Sequence, residues 1–305
     1  MEFSVKILGN SGALPAFGRH PTAQVVNHEE RLFLVDCGEG TQMRCNDFKV
    51  KKGRIHHIFI SHLHGDHFFG LLGLITSYQL LQRVHPLHIY GPPKLWDIID
   101  LQLSPWGIPP CYELVFHPTQ ADTPMRLYED EALTVETIPL NHRIACTGFL
   151  FKEKPKDRNI RKDKIEEYGI HFSAITAIKK GGDFKTKEGR IIPNAELTID
   201  PPPPRSYAFC SDTAYHEAMV EQLKGVDLLY HEATFTQEFE ERAKKTFHST
   251  AQQAASIAQQ VATKRLLLGH FSAKYPVLDP ILTEARAVFE DSELAIEGEV
   301  FEVGR

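Results

Sequence analysis

Ser61-His62-Leu63-His64-Gly65-Asp66-His67 places four metal-ligand side chains within six residues, directly after Arg54-Ile55-His56-His57-Ile58-Phe59-Ile60. The earlier run is apolar and β-branched and reads as a buried strand. Phe68 to Leu81, which follows, is apolar on nearly every side and predicts a buried helix. Imidazole nitrogen and carboxylate oxygen are donors that zinc favours, and a catalytic site must leave room for water. On a strand the four side chains would alternate between faces, and on a helix they would splay around the axis. A tight loop turning at Gly65 directs all four inward. They still need distant partners to complete two coordination spheres.

Four other strand-like runs end in the same chemistry. Leu133–Ile138 stops just before Asn141-His142, and Ser206–Cys210 stops at Ser211-Asp212-Thr213. Val226–Tyr230 stops at His231-Glu232-Ala233-Thr234, and Lys264–Leu268 stops at Gly269-His270. Helices are expected between them. Ser249 or Thr250 can cap one, with Gln252 or Gln253 three residues on, before Ala254, Ile257, Ala258 and Val261 recur at helical spacing. Alternating strand and helix indicates an α/β architecture, in which ligands sit outside the carboxyl ends of strands. Five such ends therefore point to one site, with His62, His64, Asp66, His67, His142, Asp212 and His270 as candidate ligands. Of the sixteen histidines, nine, such as His56, His57, His85 and His117, read as ordinary residues.

A chain of 305 residues fits one large domain or two intimate halves. Cys37, Cys45, Cys111, Cys146 and Cys210 are odd in number and form no C-x-x-C pair. That points to a reducing cytoplasm and away from disulfides or a thiolate zinc site. No apolar run is long enough to span a bilayer, so no membrane partner is expected. Met1-Glu2-Phe3-Ser4-Val5-Lys6 lacks the basic start and apolar stretch of a signal peptide. The net charge of −6 argues against a broad basic surface, so any nucleic-acid contact has to come from a local patch. Residues 152–205 are rich in Lys, Glu and Gly, show little periodicity and close with Pro201-Pro202-Pro203-Pro204. Composition reads this stretch as a solvated insertion with a stiff exit; an arm that handles substrate is the other reading.

His62-Leu63-His64-Gly65-Asp66-His67 resembles the H-x-H-x-D-H hallmark of the metallo-β-lactamase superfamily. The likeness continues through Leu34-Val35-Asp36-Cys37-Gly38-Glu39-Gly40-Thr41-Gln42, Gly70-Leu71, Ser211-Asp212-Thr213 and His231-Glu232-Ala233-Thr234. With His248-Ser249-Thr250 and Gly269-His270-Phe271-Ser272-Ala273-Lys274-Tyr275, these are similar, in order, to ribonuclease Z family motifs. The resemblance implies an α/β metallo-β-lactamase fold, a four-layer αββα sandwich. It implies one domain over residues 1–305, with 152–205 an inserted arm. It implies two zinc ions (Zn2+) per chain, one on His62, His64 and His142, the other on Asp66, His67 and His270, with Asp212 bridging. Cations about 3.5–4 Å apart clamp the attacking and leaving oxygens of a phosphodiester. Asp66 would also orient or deprotonate the attacking water, while His248, steadied by Glu232, would protonate the departing ribose 3′ oxygen. Asp36 and His231 read either as partners that fix ligand tautomers or as packing residues.

The implied substrate is precursor tRNA, cut on the 3′ side of the discriminator nucleotide, and the implied assembly is a homodimer. The family's arm carries a Gly-Pro pair followed by Gly-x-Leu-Lys. Here residues 168–182 lack that pair but keep Lys179 and Lys180. The N-terminal loop, Leu14-Pro15-Ala16-Phe17-Gly18-Arg19-His20, also departs from the family pattern. A metal-dependent hydrolase of smaller phosphodiesters or esters is the alternative enzyme. A non-catalytic RNA-binding scaffold is the third reading, opposed by the presence of all seven ligand-type residues.

Overall fold

A strand turns successive side chains to opposite faces. In the strand Thr147–Glu153 this separates Phe149 and Phe151 from Leu150, and in Ser206–Cys210 it separates Tyr207 and Phe209 from Ala208 and Cys210. The aromatic faces meet a second set across the middle of the molecule. The Phe59 and Phe149 rings lie 5.4 Å apart, and those of Phe33 and Phe151 lie 5.7 Å apart. Leu150, Ala208 and Cys210 pack outward, in one cluster with apolar residues of the helices Ala251–Val261 and Asp279–Arg286. On the other side Leu34, Ile58 and Ile89 pack with residues of Leu71–Leu80 and Lys94–Leu103. The result is helix, sheet, sheet, helix, the αββα order expected.

The computed structural model describes residues 2–106 and 110–304, which hold two seven-stranded sheets. The first runs Val300–Glu302, Phe3–Gly9, Ala23–His28, Arg31–Val35, Ile55–Phe59, Leu87–Gly91, Leu114–Pro118, parallel from Arg31–Val35 onward. The second runs Ser292–Leu294, Arg265–Gly269, Leu228–Glu232, Ser206–Cys210, Thr147–Glu153, Leu133–Pro139, Arg126–Glu129, and its first four strands are parallel. Parallel strands deliver their carboxyl ends to one edge, so Asp36, Ser61, Asp212 and His270 each follow a strand end there. Among the described residues no helix is long and apolar enough to cross a membrane.

The structure corrects three expectations. The helix expected over Phe68–Leu81 is two pieces, Gly65–Phe68 and Leu71–Leu80. Leu71, Leu74, Ile75 and Tyr78 form its buried stripe, while Phe69, Leu80 and Leu81 face solvent. One helix face meets the sheet, and apolar side chains off that face have no further layer to enter. Next, the strand expected to stop at Tyr230 runs through His231 and Glu232. Parallel pairing with Cys210 on one side and with Leu268 and Gly269 on the other carries it two residues further.

The third correction concerns the Lys-rich segment. The chain divides into two compact units, and the smaller holds Asp130–Leu133 and Glu153–Pro204. It is folded: helices Lys162–Glu167 and Phe172–Lys179 and two short strand pairs enclose Ile170, Ile178, Ile192 and Leu197. Four apolar residues spread over that length leave no regular period for a sequence reading to detect.

The break at Phe69–Gly70 is set by close backbone approach. Gly70 donates its N–H to the Cys37 carbonyl at 2.8 Å, and a Cβ on it would lie 2.2 Å from the Gly38 oxygen. Gly70→Ala therefore forces two backbone segments apart. It should destabilise the fold by roughly 1–3 kcal/mol, the scale of overpacking a tight contact, read as a lower urea midpoint.

Candidate metal centre

Three ring nitrogens converge first. His62 Nε2 lies 3.0 Å from His64 Nδ1, and His142 Nε2 lies 3.2 Å from the same atom. Asp212 Oδ2 faces this group, 3.6 Å from His62 Nε2 and 3.8 Å from His142 Nε2. Its other oxygen, Oδ1, faces a second group, 3.0 Å from His67 Nε2 and 3.1 Å from His270 Nε2. Asp66 Oδ2 completes that group at 3.4 Å from His67 and 3.5 Å from His270. The seven ligand candidates thus form two clusters, each with donor atoms close enough to hold one ion, and one carboxylate reaches towards both.

The local backbone explains how a loop can do this. Asp66 and His67 sit in the single helical turn Gly65–Phe68, so only the first half of the motif is loop. Gly65 is not the turn residue expected: it opens the short helix Gly65–Phe68 without a left-handed φ, and the Phe69 ring lies against it. Asp36, Asp212 and His270 each take a left-handed φ of 56–57° where a strand ends. Non-glycine residues rarely adopt that conformation, and such strain gathers at functional sites. Gly12 must remain bare because a Cβ would meet the His270 ring at 2.6 Å.

Outer hydrogen bonds fix the ring orientations. Asp36 accepts from the Ser61 N–H at 2.8 Å, the Ser61 hydroxyl at 2.9 Å and His67 Nδ1 at 2.7 Å. With its hydroxyl proton committed to Asp36, Ser61 accepts from His62 Nδ1 at 3.0 Å. His142 Nδ1 donates to the Phe247 carbonyl at 3.0 Å. Thr234 donates to Glu232 at 2.5 Å and accepts from His270 Nδ1 at 2.9 Å. Each of these four rings therefore commits its Nδ1 to an outer partner and turns its Nε2 to the cluster. Asp36 stands where a tautomer-fixing role needs it. His231 does not: its Nδ1 donates to the Glu232 carbonyl at 2.8 Å, and strand alternation turns its ring away from the Glu232 side.

The electrostatics fit a cation. Burial, reinforced by neighbouring imidazoles, pushes His62 well below its ordinary pKa, and burial also lowers His64 and His142. These rings are neutral, as ligands must be. His67 goes the other way: burial opposes protonation, but Asp212, Asp66 and Asp36 outweigh it and hold the ring cationic. Its Nε2 and that of His270 are buried with no hydrogen-bond partner, and both face carboxylates. The proton on His67 answers a charge demand that a divalent ion would meet better. The donor set and the orphaned nitrogens fit a metal pair.

Beside the cluster, His248 Nδ1 lies 2.9 Å from Glu232 Oε1, and its ring stacks on His270. Burial would lower His248, but Glu232 raises it to about 9. Glu232 is itself held by the backbone N–H groups of Thr213 and Ser249 at 2.6 and 3.1 Å. His64, Asp66, His142, Asp212, His248 and His270 line one cavity of about 560 Å³. Sequence reasoning assigned no role to Ser61, Thr234, Phe247 or Ala13, whose N–H donates to Asp66 Oδ2 at 2.7 Å. Ser61 and Thr234 carried a signal, a hydroxyl adjoining a ligand motif. Ala13 and Phe247 act through backbone atoms, which leave no trace in side-chain chemistry.

Two stacked sheets with a histidine–aspartate cluster at their shared edge define a metal-dependent hydrolase of the metallo-β-lactamase class. The profile described as Metallo-beta-lactamase superfamily matches residues 18–178, and one described as Beta-lactamase superfamily domain matches 156–271. The chain is 47% identical to "Ribonuclease Z" of Bacteroides thetaiotaomicron over 97% of its length and 94% of that protein's. It is 45% identical to "Ribonuclease Z" of Porphyromonas gingivalis strain W83 over 97% of each. The solved structure of human tRNase Z, short form, superposes with a TM-score of 0.72 at 29% identity, covering 98% of both chains. The chain belongs to the ribonuclease Z family.

Proposed function

We infer that the protein is a tRNA 3′-processing endoribonuclease that removes the 3′ trailer by hydrolysing a phosphodiester at this centre. What carries the reading is one cavity that joins the ligand clusters to a histidine–glutamate pair able to hold a proton. Full-length likeness to ribonuclease Z proteins and to human tRNase Z supports the substrate class. We propose zinc, two ions per chain, on grounds of the imidazole and carboxylate donors. His62, His64 and His142 would hold one ion and Asp66, His67 and His270 the other, with an oxygen of Asp212 offered to each. When bound, such a pair supplies Lewis acidity and a water nucleophile at neutral pH. Asp66, kept ionised by His67 and His270 despite its burial and tethered by the Ala13 N–H, would orient the attacking water. His248, kept protonated by Glu232, would donate to the leaving ribose oxygen.

Within a single metallo-β-lactamase domain we assign residues 152–205 as the substrate arm. On a chain of net charge −6, its folded stretch 153–204 carries eleven Lys and Arg against nine Asp and Glu, including Lys179, Lys180, Lys185, Lys187 and Arg190. Free cysteines throughout support a cytoplasmic setting. Solvent-facing Leu80, Leu81 and Val84 support a homodimer, which light scattering would test.

The deciding experiment is cleavage of a precursor tRNA with product ends mapped, with and without the arm. Lys152 pairs with Ser206 across adjacent strands, so a short turn can replace residues 153–204. The shortened enzyme should keep its metal and hydrolyse bis-p-nitrophenyl phosphate, because the ligands lie on the core sheets. Its KM for precursor tRNA should rise, and the salt dependence of binding should flatten by about one unit of slope for each phosphate that is no longer neutralised. Unaltered processing and salt slope would make the arm a passive insertion. A parent enzyme that hydrolyses the small diester but leaves precursor tRNA whole would favour the small-diester hydrolase.

A further inference from the structure

We propose that Phe69 is the stacking platform for a nucleobase flanking the scissile phosphodiester, and so a specificity determinant of the enzyme; this rests on the RNA substrate proposed above. Phe69 directly follows the metal motif, and its side chain lines the same cavity as the ligand cluster. It is 64% exposed, an unusual state for a phenyl ring between two buried stretches. Its backbone is nevertheless fixed: Phe69 N–H donates to the Gly65 carbonyl at 3.0 Å, and Gly70 N–H donates to Cys37 at 2.8 Å. One side of the ring is seated against Gly65, where a Cβ would lie 2.3 Å away, and it meets Phe68 edge to face at 5.0 Å. The remainder opens to the cavity. The ring thus lies over Gly65 at the mouth of the site.

The rest of the rim says what the ring meets. Leu14, Pro15 and Pro21 line the cavity with Phe69, and Arg143 is the one lysine or arginine among the described lining residues. Leu14 is itself 61% exposed. With the phosphodiester at the ligand cluster, this apolar rim faces the groups that flank it in RNA, a ribose and a base. Beyond the ligand clusters and His248, the cavity's polar lining among the described residues is Glu39, Arg143 and Thr246. An aromatic face grips any base through its π surface, which suits an enzyme that accepts different nucleotides at the cleavage point. A simple diester has no flanking base for an exposed ring at this place to meet.

The test pairs the side chain with the base. Precursor tRNAs carrying an abasic nucleotide on one or the other side of the scissile bond are cleaved by the parent, Phe69→Ala and Phe69→Trp enzymes, with metal content measured for each. In the parent, one abasic substitution should lower kcat/KM by about ten- to a hundredfold, the scale of losing one stacked base. Phe69→Ala should lower kcat/KM on intact RNA by a similar factor with metal retained, and the abasic penalty should vanish, because platform and base act only together. Phe69→Trp should restore the penalty. An abasic penalty as large in Phe69→Ala as in the parent would overturn the proposal. A parent that fails to cut precursor tRNA would instead overturn the proposed function on which it stands.

Discussion

Asp212→Ala is expected to lose metal and activity together while the fold survives near neutral pH. The carboxylate is buried and turns one oxygen to His62 and His142 and the other to His67 and His270. Burial opposes its ionisation, yet the surrounding imidazoles hold it well below the ordinary carboxylate range. Removing it deletes a donor to both groups and leaves His62 and His142 without their facing carboxylate, while His67 and His270 keep only Asp66. Neither ion then keeps a full ligand set, and turnover should fall by roughly a thousandfold or more, as when a main electrostatic element of a site is removed. Elemental analysis beside circular dichroism checks both halves. Two metal equivalents retained by a folded Asp212→Ala protein would show that this carboxylate bridges nothing.

His248→Ala should separate chemistry from metal binding. The ring offers Nδ1 to Glu232 and belongs to neither principal ligand group, so metal content should be unchanged while single-turnover cleavage slows by roughly a hundredfold or more. An unaltered rate constant would return His248 to a structural part at the start of the helix Ala251–Val261. The pH profile adds a second readout. His248 must carry its proton to act as an acid, and Glu232 raises its pKa to about 9 against the effect of burial. Activity should therefore persist through neutrality and fall as pH rises towards that value. Cations beside the ring lower its pKa, so bound metal should shift the alkaline limb to lower pH. Glu232→Gln removes the stabilising charge, which should move that limb to lower pH.

Much of this site was legible in the order of residues. Four ligand-type side chains in six positions and strand periods ending in His142, Asp212 and His270 are chemical properties of short segments. Neither depends on what the segment later packs against. The α/β class and the candidate ligands follow from these local rules, whereas the four-layer order was implied by the family resemblance. The strand Thr147–Glu153, which puts Phe149 and Phe151 on one face and Leu150 on the other, was not among the runs read from sequence.

Other features exist only between residues far apart in the chain. Asp36 holds His67 directly and His62 through Ser61, while Thr234 links Glu232 to His270 across 36 positions. His231 and Glu232 are neighbours in one motif, yet the pleat sends them to opposite faces, and only Glu232 reaches the site. Phe69 looked like one more core residue of an apolar helix, and its exposure depends on how Gly70 meets Gly38. The small unit around Ile170, Ile178, Ile192 and Leu197 escaped notice because its apolar residues share no period. Ligand type and face are written residue by residue, whereas tautomers, exposure and shared oxygens arise when distant backbones close to within a hydrogen bond of one another.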